Sequence, residues 1–142
     1  KAVIIHGTEG YLVQDILKRF KIPVICGPVI CDRCKPEMKG LDLKNAGELN
    51  KNGVLTAICT DHTVIPIQYL PISAQACQKG GLNFIEALKA VTTNPALIMG
   101  AEKAIGSLKP EMDADLQLYP KDSNPLDLLS EPILVMINGK TV

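Results

Sequence analysis

The chain has 142 residues, of which 46% are hydrophobic and 21% charged, and its formal net charge is zero. That length supports one domain with a real core, and the charge balance gives no reason to expect nucleic acid or a charged membrane surface as a partner. No apolar run is long enough to span a membrane or has the form of a signal peptide, and five cysteines scattered through apolar runs fit a reducing cytoplasm better than a disulfide framework.

Ala2-Val3-Ile4-Ile5 predicts a short apolar strand, ending on His6-Gly7-Thr8-Glu9-Gly10. A buried strand at the very start is unlike the polar, frayed end of most domains, and it reads as the continuation of something larger. The pattern then turns helical. Leu12, Val13, Ile16, Leu17 and Phe20 fall on one face and Gln14, Asp15, Lys18 and Arg19 on the other, with Thr8 placed to cap. Pro23-Val24-Ile25-Cys26 predicts a second strand, closed by Gly27-Pro28. Val29–Leu43 has no clear period and is expected as a loop over the functional edge of the sheet.

Asn45-Ala46-Gly47-Glu48 has capping-box spacing and predicts a helix that stops at Gly53. The run Val54–Thr60 predicts a third buried strand. Three strand–helix units in succession imply a parallel sheet with right-handed crossovers. Tyr69–Lys79 predicts a helix ending at Gly80. A second capping box, Asn83 to Glu86, opens a helix over Phe84–Val91 with Ile85, Leu88 and Val91 inward. Asn94-Pro95 predicts a cap and a first helical proline, with closure at Gly100. From Ile105 the pattern alternates, in Ala114–Tyr119 and in Ile133–Ile137, and Asn138-Gly139 signals a tight hairpin. Two regions are therefore expected, an α/β part over residues 1–104 and antiparallel strands over 105–142.

The chemistry-bearing residues gather at the predicted strand ends. His6 ends the first strand and Asp61, in Thr60-Asp61-His62, ends the third. In a parallel sheet both lie on the C-terminal rim, where chemistry sits in such folds. An imidazole and a carboxylate converging there suit a divalent metal such as zinc, iron or manganese. Each also has a plainer reading, Asp61 as a helix N-cap and His6 as a hydrogen-bonded rim residue. Glu9 and His62 flank the two positions and could orient a ligand or meet substrate; as plain rim polar groups they would do neither. Cys31-Asp32-Arg33-Cys34 is a C-x-x-C, a spacing used by redox sites and by half of a zinc knuckle, but it sits in loop-like surroundings with no second pair.

Three stretches resemble the metal-dependent amidohydrolases, in their imidazolonepropionase-like branch. His6-Gly7-Thr8-Glu9-Gly10-Tyr11 is similar to the end of the sixth barrel strand, where that family places a metal-ligand histidine. Thr60-Asp61-His62 with Val64–Leu70 resembles the eighth strand and its catalytic aspartate. Ala87–Ala96, Gly100, Ile105–Leu108 and Asp113–Leu116 resemble the run that joins the barrel to a small β-sandwich. The resemblance implies a partial (β/α)₈ TIM barrel, strands six to eight, with part of the sandwich. It implies His6 as a metal ligand, Asp61 as general base and further ligand, and His62 near the substrate. Glu111-Met112 stands where the family usually has Gly-Lys.

A full barrel needs about 250 residues, and the family's His-x-His on the first strand has no counterpart here. Two donors make an open metal site, so this piece alone is expected to be inactive without the N-terminal part of the same protein. The parent is expected to hydrolyse a C–N bond in a small amide or cyclic amide. Two other readings stay open. One is a non-catalytic α/β module that self-associates, as a homo-oligomer, through an exposed sheet edge. The other is a thiol redox or zinc protein built on Cys31 and Cys34.

Overall fold

The computed structural model describes residues 2–142. Two sheets organise them. The first is parallel, in the order β1 (Ile4–Ile5), β2 (Val24–Cys26), β3 (Thr56–Ile58). Ile4 lies opposite Val24, and Val24 opposite Thr56. All three strands point the same way, so His6, Gly27 and the residues after Ile58 leave the sheet at one rim. The second sheet is antiparallel, with β5 (Leu134–Ile137) between β4 (Leu116–Leu118) and β6 (Lys140–Thr141). Asn138 and Gly139 carry the two positive φ angles, 50° and 74°, that a tight β5–β6 hairpin demands.

Helices α2 (Lys44–Lys51), α3 (Leu70–Lys79) and α4 (Phe84–Val91) pack with the parallel sheet around one core. Val24, Leu49, Ala74 and Ala87 are fully enclosed in it. Helix α3 stops at Gly80, and α5 (Thr93–Met99) closes on Gly100 in the left-handed conformation, both as the punctuation predicts. Leu126 belongs to the same core although it lies far along the tail, among the turns between β4 and β5. Among the described residues, no helix is long and apolar enough to cross a membrane.

Several local expectations are corrected. The first helix begins as a 3-10 turn over Gly10–Val13 and becomes α1 only over Gln14–Arg19. Its apolar stripe does not turn inward: Leu17 is buried, whereas Leu12, Val13, Ile16 and Phe20 are exposed. Of that stripe only Leu17 joins the core cluster. Thr8 does not cap it; its hydroxyl donates to the carbonyl of Glu37 at 2.7 Å. In α4 the inward positions are Ala87 and Ala90, with Leu88 and Val91 beside them, and Ile85 is exposed. The small alanines allow α4 to lie close against its neighbours, which turns Ile85 outward.

Of the three predicted amide caps one is real. Asn83 Oδ1 accepts from the Glu86 backbone N–H at 2.9 Å. Asn45 and Asn94 instead lie inside their helices, buried, and tie them to the sheet. Asn94 Nδ2 donates to the Thr56 carbonyl at 2.8 Å. The N-terminus of α2 is served by Asp42, whose Oδ1 accepts from the Lys44 N–H at 2.9 Å and whose carboxyl is held below the usual carboxylate range mainly by that bond.

Leu126, 2% exposed, tests how far the tail belongs to the core. Leu126→Ala is expected to cost about 2–5 kcal/mol, the range for a large-to-small change in a packed interior. Leu129→Ala, at a neighbouring exposed position, should change stability by less than about 0.5 kcal/mol. Urea midpoints measure both, and equal midpoints would separate the tail from the core.

Candidate functional site

The site grows out of the rim of the parallel sheet. Adjacent strands lie about 4.8 Å apart, so the ends of β1 and β3 are separated by the end of β2. A side chain on β1 can meet one on β3 only across whatever ends β2. That residue is Gly27. Its φ is +143°, and a Cβ there would run into the carbonyl of Cys59 at the end of β3. Only glycine fits this crossing.

His6 and Asp61 converge above it. Both have positive φ, 57° and 52°, which turns each residue off the line of its strand. Non-glycine residues hold that conformation at a cost on the order of 1–3 kcal/mol, and such costs gather at functional sites. The imidazole Nδ1–H donates to the Gly27 carbonyl at 2.8 Å. A carbonyl can only accept, so the proton is on Nδ1, and in the neutral ring Nε2 carries a free lone pair. Nε2 lies 3.9 Å from Asp61 Oδ1, with both side chains close to half exposed. Asp61 caps no helix; the 3-10 turn that follows, Ile67–Tyr69, starts on Pro66 without a side-chain cap.

The segment 29–43 folds over this rim as a loop holding one 3-10 turn, Pro36–Met38. One bond fastens it to the rim, from Thr8 Oγ1 to the Glu37 carbonyl at 2.7 Å, and a second closes the loop on itself, from Arg33 Nη2 to the Leu41 carbonyl at 2.6 Å. Between loop and rim is a cavity of about 470 Å³. His6 and Asp61 form its floor, Pro28, Ile30, Met38 and Val64 supply apolar wall, and Asp32, Lys35 and Glu37 bring charge. A larger open groove on the other side of the loop, between it and α3, contains neither His6 nor Asp61.

Cys31 and Cys34 also line the cavity, a placement the spacing alone did not predict. Neither is in a disulfide, and neither opens a helix. Burial, with the nearby Cys34, Asp32 and Asp61, pushes the Cys31 thiol above its ordinary range. A redox thiol needs the opposite shift. Glu9 and His62 are exposed and are not among the residues lining the cavity. The Glu9 side chain lies instead against Gly40, where a Cβ would displace it.

The donor set suits a divalent cation. A neutral imidazole whose other ring N–H is held by a carbonyl is the usual preparation of a metal-ligand histidine, and a carboxylate faces the same space. Two donors are nonetheless too few to close a site, and among the described residues no group of three or more His, Cys, Asp or Glu side chains could hold a metal.

Comparison with known proteins decides the family. The Amidohydrolase family matches residues 4–142. The chain belongs to the amidohydrolase family. It is 40% identical to an amidohydrolase of Thermotoga maritima MSB8, superposing on that crystal structure with a TM-score of 0.92 over 99% of this chain and 36% of that one. It is 29% identical over 139 residues to amidohydrolase tasK of Hapsidospora irregularis, covering 94% of this chain and 14% of that one. A prolidase solved with N-methylphosphonate-L-proline has the same fold at 18% identity, with a TM-score of 0.73 over 99% of this chain and 40% of the prolidase. The chain thus spans little more than a third of the solved relatives and a smaller part of the curated one. Its mixed parallel and antiparallel architecture is that of amidohydrolase structures.

Two outcomes follow from the site's geometry. Gly27→Ala must relieve both a forbidden φ and a backbone clash, so it should cost more than about 1 kcal/mol and shift the His6 ring resonances, read by denaturation and NMR. With its thiol pushed up, Cys31 should react with iodoacetamide at pH 8 more slowly than an unstructured cysteine peptide, by mass spectrometry of the labelled site. A faster reaction would revive the redox reading.

Proposed function

We propose that this chain supplies the last three strands of a (β/α)₈ barrel, with part of a β-sandwich, to a metal-dependent hydrolase of C–N bonds. Residues 1–104 are the barrel portion and 105–142 the sandwich portion. The division follows the change from strand–helix units to antiparallel strands, with Leu126 reaching back into the barrel core. The substrate is a small amide or cyclic amide, and the setting a reducing cytoplasm, in keeping with five free cysteines.

One observation carries this reading: the Nδ1–H bond of His6 to Gly27, which leaves Nε2 turned to the Asp61 carboxylate at 3.9 Å. His6 Nε2 and an Asp61 oxygen would hold the cation, zinc, iron or manganese; the remaining ligands would come from the N-terminal part of the same protein. Such a cation, when bound, activates a water and polarises the scissile carbonyl. Asp61 takes the proton of the attacking water and returns it to the leaving nitrogen. The segment 29–43 walls the cavity and limits bulk water at the reacting carbon. Glu9 and His62, outside the cavity lining here, are left as polar groups for substrate reaching the rim from beyond this chain.

A self-associating module is the second reading, favoured by the exposed Ile4 and Ile5 on the edge strand and the exposed Leu12, Ile16 and Phe20 that follow. In the hydrolase this surface is covered by the N-terminal part of the same protein; in the module it is covered by a second copy. The natural-length protein separates the two. We expect it to be longer than 142 residues, to bind about one or two divalent ions, and to lose about 10²–10⁴-fold in kcat on Asp61→Asn, the usual contribution of a positioned base. His6→Ala should release metal by elemental analysis. A metal-free natural chain whose activity ignores both substitutions, and which sediments as a dimer, would replace the hydrolase with the module.

A further inference from the structure

We propose that Asn45 is a positioning residue for His6, acting from α2 through the turn that follows the histidine. Resting on the reading of His6 as a ligand, the proposal concerns what holds that ligand in place. Asn45 is the second residue of α2 and 4% exposed. A buried side-chain amide inside a helix is costly unless every donor and acceptor is used. Here they are. Nδ2 donates to the Gly7 carbonyl at 2.6 Å and approaches Cys26 Sγ at 3.3 Å, while Oδ1 accepts from the Tyr11 N–H at 3.0 Å.

Gly7 directly follows His6, and Tyr11 lies in the 3-10 turn before α1. The two bonds therefore clamp both ends of the segment 7–11 to α2. Thr8 ties the middle of that segment to the loop above it, its hydroxyl donating to the Glu37 carbonyl, but little else fixes the segment at the sheet. The Gly7 N–H reaches the Ile25 carbonyl only at 3.4 Å, and Gly7 O also accepts from Gly10 within the turn itself. Glycine is needed at position 7, since a Cβ would strike Val24. A glycine turn is intrinsically loose, so its orientation has to be imposed from outside.

What must be imposed is the φ of +57° at His6. A strained backbone persists only where the surroundings over-determine it. The Gly27 carbonyl holds the ring, and Asn45 holds the peptide on the other side. The clamp needs a donor toward Gly7 O and an acceptor toward Tyr11 N–H, at the same reach. Asparagine supplies both. Aspartate, of the same shape, would set an oxygen against a carbonyl oxygen.

The test uses the natural-length protein labelled with ¹⁵N-histidine, the His6 signals being assigned by their loss in His6→Ala. The parent should show the Nδ1–H form of His6. Asn45→Asp should lose that signature and bind zinc about 10-fold more weakly, the lower end of what outer partners contribute. Asn45→Ser, which fits easily but reaches neither partner, should do the same and serves if the aspartate variant does not fold. Asn94→Asp is the control, another buried amide that ties a helix to the sheet, at the Thr56 carbonyl and away from the His6 turn. It should lower stability and leave the His6 signature intact. Retention of the signature in both Asn45 variants would overturn the proposal, as would its loss in Asn94→Asp, since Asn45 would then be merely structural. If His6→Ala leaves zinc affinity unchanged, the ligand reading fails on its own, whatever the Asn45 variants do to the ring.

Discussion

The hydrogen bond from His6 Nδ1–H to the Gly27 carbonyl joins the fold to the chemistry. It crosses from the end of one strand to the end of the next and depends on the parallel arrangement that brings both ends to one rim. It also assigns the proton on the ring, which leaves Nε2 as a lone-pair donor. Much of the surrounding structure keeps this contact available. Gly27 passes Cys59 where no side chain could. The segment 29–43 roofs the rim, tied down through Thr8 and closed on itself by Arg33. Asp61, also turned off its strand, faces the same opening.

Buried asparagines recur as the device that fastens helices to the sheet. Asn45 ties α2 to the turn after β1, and Asn94 ties α5 to the start of β3. A side-chain amide suits this task because it offers a donor and an acceptor without charge. An aliphatic residue would pack as tightly but forfeit the bonds to the Gly7 and Thr56 carbonyls, each worth about 0.5–1.5 kcal/mol. The two ties act at opposite ends of the sheet, Asn45 at the rim beside His6 and Asn94 where β3 begins.

The same feature explains where reading the sequence failed. Asn83, Asn45 and Asn94 look alike as cap signals, yet only Asn83 caps. Short-range spacing reports that an amide can bond to a nearby backbone N–H. It does not report that a distant carbonyl will compete for that amide. The α1 stripe failed for a related reason: Leu12, Ile16 and Phe20 have helical spacing, but their burial requires a surface that this chain does not provide. The spacing of Cys31 and Cys34 could not say that a loop would carry both thiols to the His6 cavity.

The sequence by itself determined the parallel strands, the Gly80 and Gly100 stops, the Asn138-Gly139 hairpin, and His6 and Asp61 as strand-end residues. These are consequences of period, chirality and backbone conformation, which act over a few residues. Tertiary structure alone decided that His6 and Asp61 meet at 3.9 Å, that Gly27 holds the ring, and that Asn45 faces the His6 turn rather than its own helix end. Those contacts join residues 21 to 55 positions apart, and they exist only once packing has brought the strand ends to one rim.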